Sequence, residues 1–128
     1  MRLLLDTCSF LWMISQEEQL SPRAREVLQD GDNVLTLHQA SVWEIQIKYQ
    51  SGKLHLSEPP ADIIKEALRL HAIDYQTLSD DAIHHLSKLP DLHRDPFDRI
   101  LIASALVSGM QMVTPDRHIQ DYPVPVIW

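Results

Sequence analysis

Short apolar runs alternate with stretches of helical character from one end of this chain to the other. Arg2–Asp6, Val34–His38, Ala72–Leu78, Met110–Thr114 and Val124–Trp128 read as strands, bounded by turn-forming residues. Between them the helix signals are local and specific. Ser9–Ile14 can form a helical turn or two. Ser21-Pro22 supplies a cap and a first-position proline for a helix to about Gln29, stopped by Asp30-Gly31-Asp32-Asn33. Ala40–Gln50 closes at Ser51-Gly52, Pro59-Pro60 opens a helix to about Leu70, and Ser79 caps one over Asp80–Leu89. Asp95-Pro96 begins the longest apolar helix, which runs through Val107 to a stop at Gly109, and Asp116–Gln120 forms one last helical turn. Strands joined through helices pair in parallel, because a crossover needs that length of chain. The expectation is an α/β fold of three layers, with a mostly parallel central sheet of four to five strands flanked by helices. At 128 residues, with only three glycines and no glycine/serine linker, the chain is expected to form a single domain over 1–128.

Several classes drop out at this point. One cysteine, Cys8, cannot form an internal disulfide, and among apolar neighbours it reads as a small buried hydrophobe rather than a nucleophile. That usage suits a reducing cytoplasm. No run approaches the roughly 18 apolar residues of a membrane span. Asp6 cuts the opening Met1–Leu5 run too short for a signal peptide, so no cleaved leader is expected. The formal charge of −7 argues against a nucleic-acid partner, unless some of the acids hold metal in the working protein.

The placement of the acids is therefore the informative feature. Asp6 follows Leu3-Leu4-Leu5 at the carboxyl end of the first strand, and Asp116 follows Met112-Val113-Thr114-Pro115 just past a late one. Ligands of open α/β sheets bind outside those ends. Glu44 and Asp98 are expected in the first turn of two helices that emerge near the same edge. Each acid also has a plainer reading. Ser41-Val42-Trp43-Glu44 has the form of a capping box, Asp95 before Pro96 is a good N-cap, Asp98 suits the positive end of a helix dipole, and Asp116 could cap the turn after it. Asp6 is less easily assigned to a cap, since no clear long helix follows it. Together the plainer readings weaken, because four acids on one sheet edge repel and push some carboxyls to protonate. A divalent cation removes that cost, and oxygen ligands select magnesium or manganese over zinc. His84-His85 reads as helix surface. Thr7 and Thr114 carry hydroxyls beside ligand acids and either orient them or stabilise turns.

Four blocks, Leu3-Leu4-Leu5-Asp6-Thr7, Ser41–Lys48 (SVWEIQIK), His93–Ala105 (HRDPFDRILIASA) and Val113-Thr114-Pro115-Asp116, are similar to those of the PIN-domain nucleases, in the same order and over nearly the whole chain. The chain resembles in particular VapC-type toxins of type II toxin–antitoxin pairs. The resemblance implies that Asp6, Glu44, Asp98 and Asp116 are the acidic quartet that binds Mg²⁺, with Mn²⁺ as a substitute. Asp95, one turn before Asp98, is either a fifth acid or only the cap. The implied reaction is hydrolysis of an RNA phosphodiester by a metal-activated water, with one ion or two. Arg94, Arg99, Arg117, Lys48 and His93 flank the quartet and either hold the RNA backbone or are ordinary solvated charge. By the same resemblance the partners are a small antitoxin and a second copy of the chain. Phe10, Leu11, Trp12, Ile14, Ile45 and Ile47 either line a groove for them or pack the core.

Other acidic α/β proteins fit less well. A receiver domain needs an aspartate after a central strand and a lysine after a late one, where this chain has His38-Gln39 and Pro115-Asp116. An aspartyl phosphatase wants a second aspartate two residues after the first, and Asp6-Thr7-Cys8 lacks it. The remaining alternative is a PIN fold that has lost catalysis and only binds a partner.

Overall fold

The computed structural model describes residues 1–128. Five strands form one sheet: β1 (Arg2–Leu5), β2 (Val34–His38), β3 (Asp74–Gln76), β4 (Gln111–Val113) and β5 (Val126–Ile127). Their order across the sheet is β3-β2-β1-β4-β5, and every neighbouring pair is parallel. The sheet is thus wholly rather than mostly parallel. Seven α-helices flank it: α1 (Thr7–Ser15), α2 (Pro22–Gln29), α3 (Gln39–Gln50), α4 (Pro60–Leu70), α5 (Asp80–His85), α6 (Pro96–Ser108) and α7 (Arg117–Gln120).

The uninterrupted Leu3-Leu4-Leu5 run is explained by this layering. Side chains alternate between the faces of a strand, so a strand covered on both sides has no polar positions. Leu3 and Leu5 pack with Phe10, Val27, Ile45 and Ile64 on one face. Leu4 packs on the other with Met112, Leu101 and Ile102. All three leucines of β1 are fully buried.

β1 sits in the middle, with β2 on one side and β4 on the other, in register Leu5↔Leu37 and Leu5↔Val113. The chain first winds outward to β2 and β3, then crosses back to β4 and β5. Such a reversal opens a crevice between the diverging loops at the carboxyl ends of the central strands.

Most boundaries agree with the pattern in the sequence, and α2 with its Ser21 cap agrees to the residue. Three differences stand out. A 3₁₀ turn at Glu17–Gln19 was not foreseen, and the helix after Ser79 tightens to 3₁₀ geometry at Leu86–Lys88. β3 begins at Asp74 rather than Ala72, because Ala72 is occupied in ending α4. Its φ of 51° is left-handed, and the Ile73 amide bonds back to the Leu68 carbonyl at 3.0 Å. The same closure ends α6, where Gly109 takes φ 67° and the Met110 amide reaches the Ala105 carbonyl at 2.8 Å. Glycine adopts that conformation freely, whereas alanine adopts it at a cost of roughly 1–2 kcal/mol. Ala72→Gly is therefore expected to raise stability by about 1 kcal/mol. A urea unfolding midpoint that rises with an unchanged slope confirms this, and an unchanged or lower midpoint refutes it.

Candidate active site

Asp6 ends β1, where its amide donates to the Val113 carbonyl of β4 at 3.3 Å. Contrary to expectation, it does open a helix: it is the N-cap of the nine-residue α1, and its Oδ1 accepts from the Ser9 amide at 2.7 Å. The second oxygen, Oδ2, accepts from the Thr114 hydroxyl at 2.5 Å. The side chain is 5% exposed, and burial pushes its pKa above the ordinary value despite those donors. No lysine serves as its partner; hydroxyl and amide do.

Glu44 is not part of a capping box. α3 begins at Gln39, and its cap is His38, whose Nδ1 accepts from the Ala40 amide at 2.9 Å while Nε2 meets the Ser104 hydroxyl at 3.0 Å. Burial holds the His38 ring's pKa below its ordinary value. Glu44 therefore lies in the second turn, not the first, facing inward. Its Oε1 accepts from the Thr7 hydroxyl at 2.6 Å and its Oε2 pairs with the Lys48 ammonium at 2.9 Å.

Asp95 caps α6, its Oδ1 accepting from the amides of Phe97 and Asp98 at 2.9 and 3.1 Å. Asp98 stands in that first turn, as expected, and its Oδ2 lies 2.8 Å from His93 Nε2. Burial, reinforced by Asp95 and Asp116, pushes the Asp98 carboxyl up to about 6, against a lowering contribution from His93. Asp116 caps α7, accepting from the His118 amide at 2.9 Å, while its own amide donates to the Thr114 hydroxyl at 3.1 Å. That hydroxyl thus joins Asp6 to Asp116.

Capping and convergence are not alternatives here. Three caps, Asp6, Asp95 and Asp116, use Oδ1 on a helix amide. The positive ends of α1, α6 and α7 consequently stabilise the carboxylates they gather. Asp6, Glu44, Asp95, Asp98 and Asp116 all line one cleft of about 480 Å³ at the crevice beyond β1 and β4. At its Asp98 and Asp116 edge, these two acids and His93, which stands behind them outside the cleft lining, offer ligand atoms within 4.8 Å of one another. Asp6 and Glu44 line the same cleft outside that group, engaged with Thr114, Thr7 and Lys48.

The basic residues separate. Lys48 lines the cleft, and Glu44 holds its pKa above the ordinary value. Arg94 and Arg117 are exposed, next in sequence to Asp95 and Asp116. Arg99 turns inward: its Nη1 donates to the Pro90 carbonyl and the Tyr122 phenol at 3.0 and 3.1 Å, and its Nη2 to the Leu86 carbonyl at 3.3 Å. Lys53, absent from the sequence argument, also lines the cleft. Gly52, at φ 75°, turns the chain back after α3, and the Lys53 amide bonds to the Lys48 carbonyl at 2.9 Å. The Ser51-Gly52 stop was visible; that it returned a lysine to the acids was not. Cys8 also faces the cleft, with burial and then Asp6 pushing its thiol up to about 12, so it stays protonated and unreactive.

The fold is similar to that in the solved VapBC2 complex of Rickettsia felis bound to a DNA fragment from their promoter, with TM-score 0.71 and 13% identity over 98% of this chain and 97% of that one. It is also similar to FitAcB from Neisseria gonorrhoeae, at TM-score 0.60 and 19% identity over 97% and 95% of the two chains. VapBC-1 from nontypeable Haemophilus influenzae gives 0.57 and 17% over 98% and 96%. At these identities the likeness is one of fold. No curated protein sequence matches the chain. Residues 3–125, a span that holds all five acids of the cleft, match the family model of the PIN domain, and the chain belongs to that family.

Proposed function

We propose that this protein is a metal-dependent endoribonuclease and the toxin of a toxin–antitoxin pair, with Asp6, Glu44, Asp98 and Asp116 as its catalytic and metal-binding acids. The observation that supports this best is five carboxylates lining one cleft with only two lysines among them. Without a cation the arrangement is costly: burial first, and neighbouring acids after it, push the carboxyls of Asp6 and Asp98 above their ordinary values. A divalent ion offsets that cost, so the donor set fits one, and its oxygen-rich chemistry suits Mg²⁺ with Mn²⁺ as substitute. When bound, the ion supplies a water acidified towards neutral pH and positive charge beside the phosphate.

The chain's own residues do the rest. Ser9 and Thr114 hold the two oxygens of Asp6, and Thr7 and Lys48 hold those of Glu44. Carboxylates locked in this way need no reorganisation when substrate arrives. Lys48 and Lys53 face the cleft and, with Arg94 and Arg117, supply cations for the RNA backbone. Arg99 is left out of that set because its guanidinium already has four intramolecular acceptors.

The toxin role draws support from the VapBC names of two fold neighbours, one of them solved on a promoter fragment. On this reading the chain is a single cytoplasmic domain that dimerises and pairs with a small antitoxin. No helix is long and apolar enough to cross a membrane. The test is cleavage of a structured RNA by the purified chain. Cutting is expected with Mg²⁺, none with a chelator, and recovery on adding Mg²⁺ back. RNA left intact by metal-loaded protein would instead favour a partner-binding module without catalysis.

A further inference from the structure

We infer that His93 is a nitrogen ligand of the cleft's divalent cation, completing a set with Asp98 and Asp116 and biasing the site towards Mn²⁺ over Mg²⁺. The inference rests on the reading of the cleft as a cation site and adds a residue and an ion preference to it.

Geometry points to His93 first. Its Nε2 lies 2.8 Å from Asp98 Oδ2, and Asp98, Asp116 and His93 offer ligand atoms within 4.8 Å of one another. Two ligands at right angles around an ion with bonds of about 2.1 Å stand roughly 3.0 Å apart, and opposed ligands roughly 4.2 Å. The His93–Asp98 pair thus already has the spacing of neighbours around one ion, and a closure of well under about 1 Å brings the whole group to it. Neither Asp6 nor Glu44 belongs to that group.

The imidazole is also built into place. The Tyr122 phenol donates to the His93 carbonyl at 3.4 Å, and Arg99 reaches the same carbonyl at 3.5 Å while binding the Pro90 carbonyl at 3.0 Å. One face of the ring stacks on His118, with centroids 5.3 Å apart and planes 12° from parallel. The side chain is 19% exposed, as is that of Asp98. A ring anchored through its backbone and stacked on one face presents its nitrogen in a fixed direction, which is what a ligand requires.

Chemistry then sets the ion. Magnesium demands oxygen and dehydrates reluctantly, whereas imidazole nitrogen suits later divalent ions, and affinity for nitrogen-containing sites rises from manganese onward. A site of two carboxylates and one imidazole therefore discriminates where an all-carboxylate site would not.

The probe is Mn²⁺ alone, titrated into the full chain and followed by electron paramagnetic resonance. Bound Mn²⁺ is expected to show modulation from a directly ligated ¹⁴N in pulsed spectra. His93→Gln should remove the modulation and weaken Mn²⁺ binding about tenfold, with Mg²⁺ binding weakened by less than about threefold. His118→Gln should keep the modulation. Mn²⁺ that binds without nitrogen coupling in the unaltered protein overturns the role of His93 and leaves the cation site standing. Nitrogen coupling that survives His93→Gln overturns it equally. No Mn²⁺ bound at all overturns both readings.

Discussion

Asp98→Asn lowers cation-dependent RNA cleavage by about 1,000-fold or more, a loss of roughly 4 kcal/mol in transition-state stabilisation. The protein stays folded. Asparagine keeps the shape, and Asp95 still caps α6. Metal-free, the variant should in fact melt above the unaltered chain at pH 7. In the native state the Asp98 carboxyl is pushed up to about 6 by burial and by neighbouring Asp95 and Asp116, so ionising it at neutral pH opposes folding. A carboxyl with a native pKa above its unfolded value binds more protons when folded, so stability rises as pH falls through about 6 towards 3.8. The melting difference between variant and unaltered protein should accordingly shrink over that window in the presence of chelator. Asp6→Asn should also abolish cleavage. Activity within tenfold of the unaltered enzyme in both variants would remove Asp6 and Asp98 from the chemistry.

Arg99→Ala is the second large effect, and it falls on stability. The guanidinium ties the Leu86 and Pro90 carbonyls to the Tyr122 phenol and lies over the Tyr122 ring, 6.0 Å from its centroid. Its loss leaves the Pro90 carbonyl without a partner and takes a charged donor from the Leu86 carbonyl and the Tyr122 phenol, at a cost of about 3 kcal/mol. Lysine should not rescue it, because a single ammonium cannot span that fork of acceptors. Denaturant unfolding measures the loss directly. An RNA contact would behave in the opposite way, with stability kept and the salt dependence of RNA binding flattened by about one phosphate. The Tyr122 phenol and Arg99 also hold the segment carrying His93, so the variant should lose the Asp98–His93 contact as well.

Where local chemistry decides the structure, the sequence was readable. Ser21-Pro22 starts a helix because the cap and the proline act within one turn, and Leu3-Leu4-Leu5 is a strand because nothing polar interrupts it. Gly109 ends α6 for the same kind of reason. Readings failed where position depends on distant partners. Ser41 and Glu44 have the spacing of a capping box, yet α3 starts two residues before Ser41, because the buried His38 ring meets Ser104 on α6 and takes over the cap. Arg99 and Lys48 are both cations near acids in sequence, and nothing local says that one points into the fold and the other into the cleft. The sequence marked the loop before Asp98 only as a helix entry, so His93 read as an RNA-backbone contact or a solvated charge and not as a ligand. The acids themselves were legible because strand ends and caps have few places to go.

The hydroxyl of Thr114 touches Asp6, and β1 lies between β2 and β4, so residues near the two ends of the chain complete one wall of the cleft. A polypeptide still emerging from the ribosome has Asp6, Glu44 and even Asp98 long before it has Thr114 or Asp116. Until those late residues are made, β1 lacks its β4 neighbour and the acids have no common surface to meet on. A fragment that stops before β4 is therefore expected to carry the early acids without the cleft that gathers them.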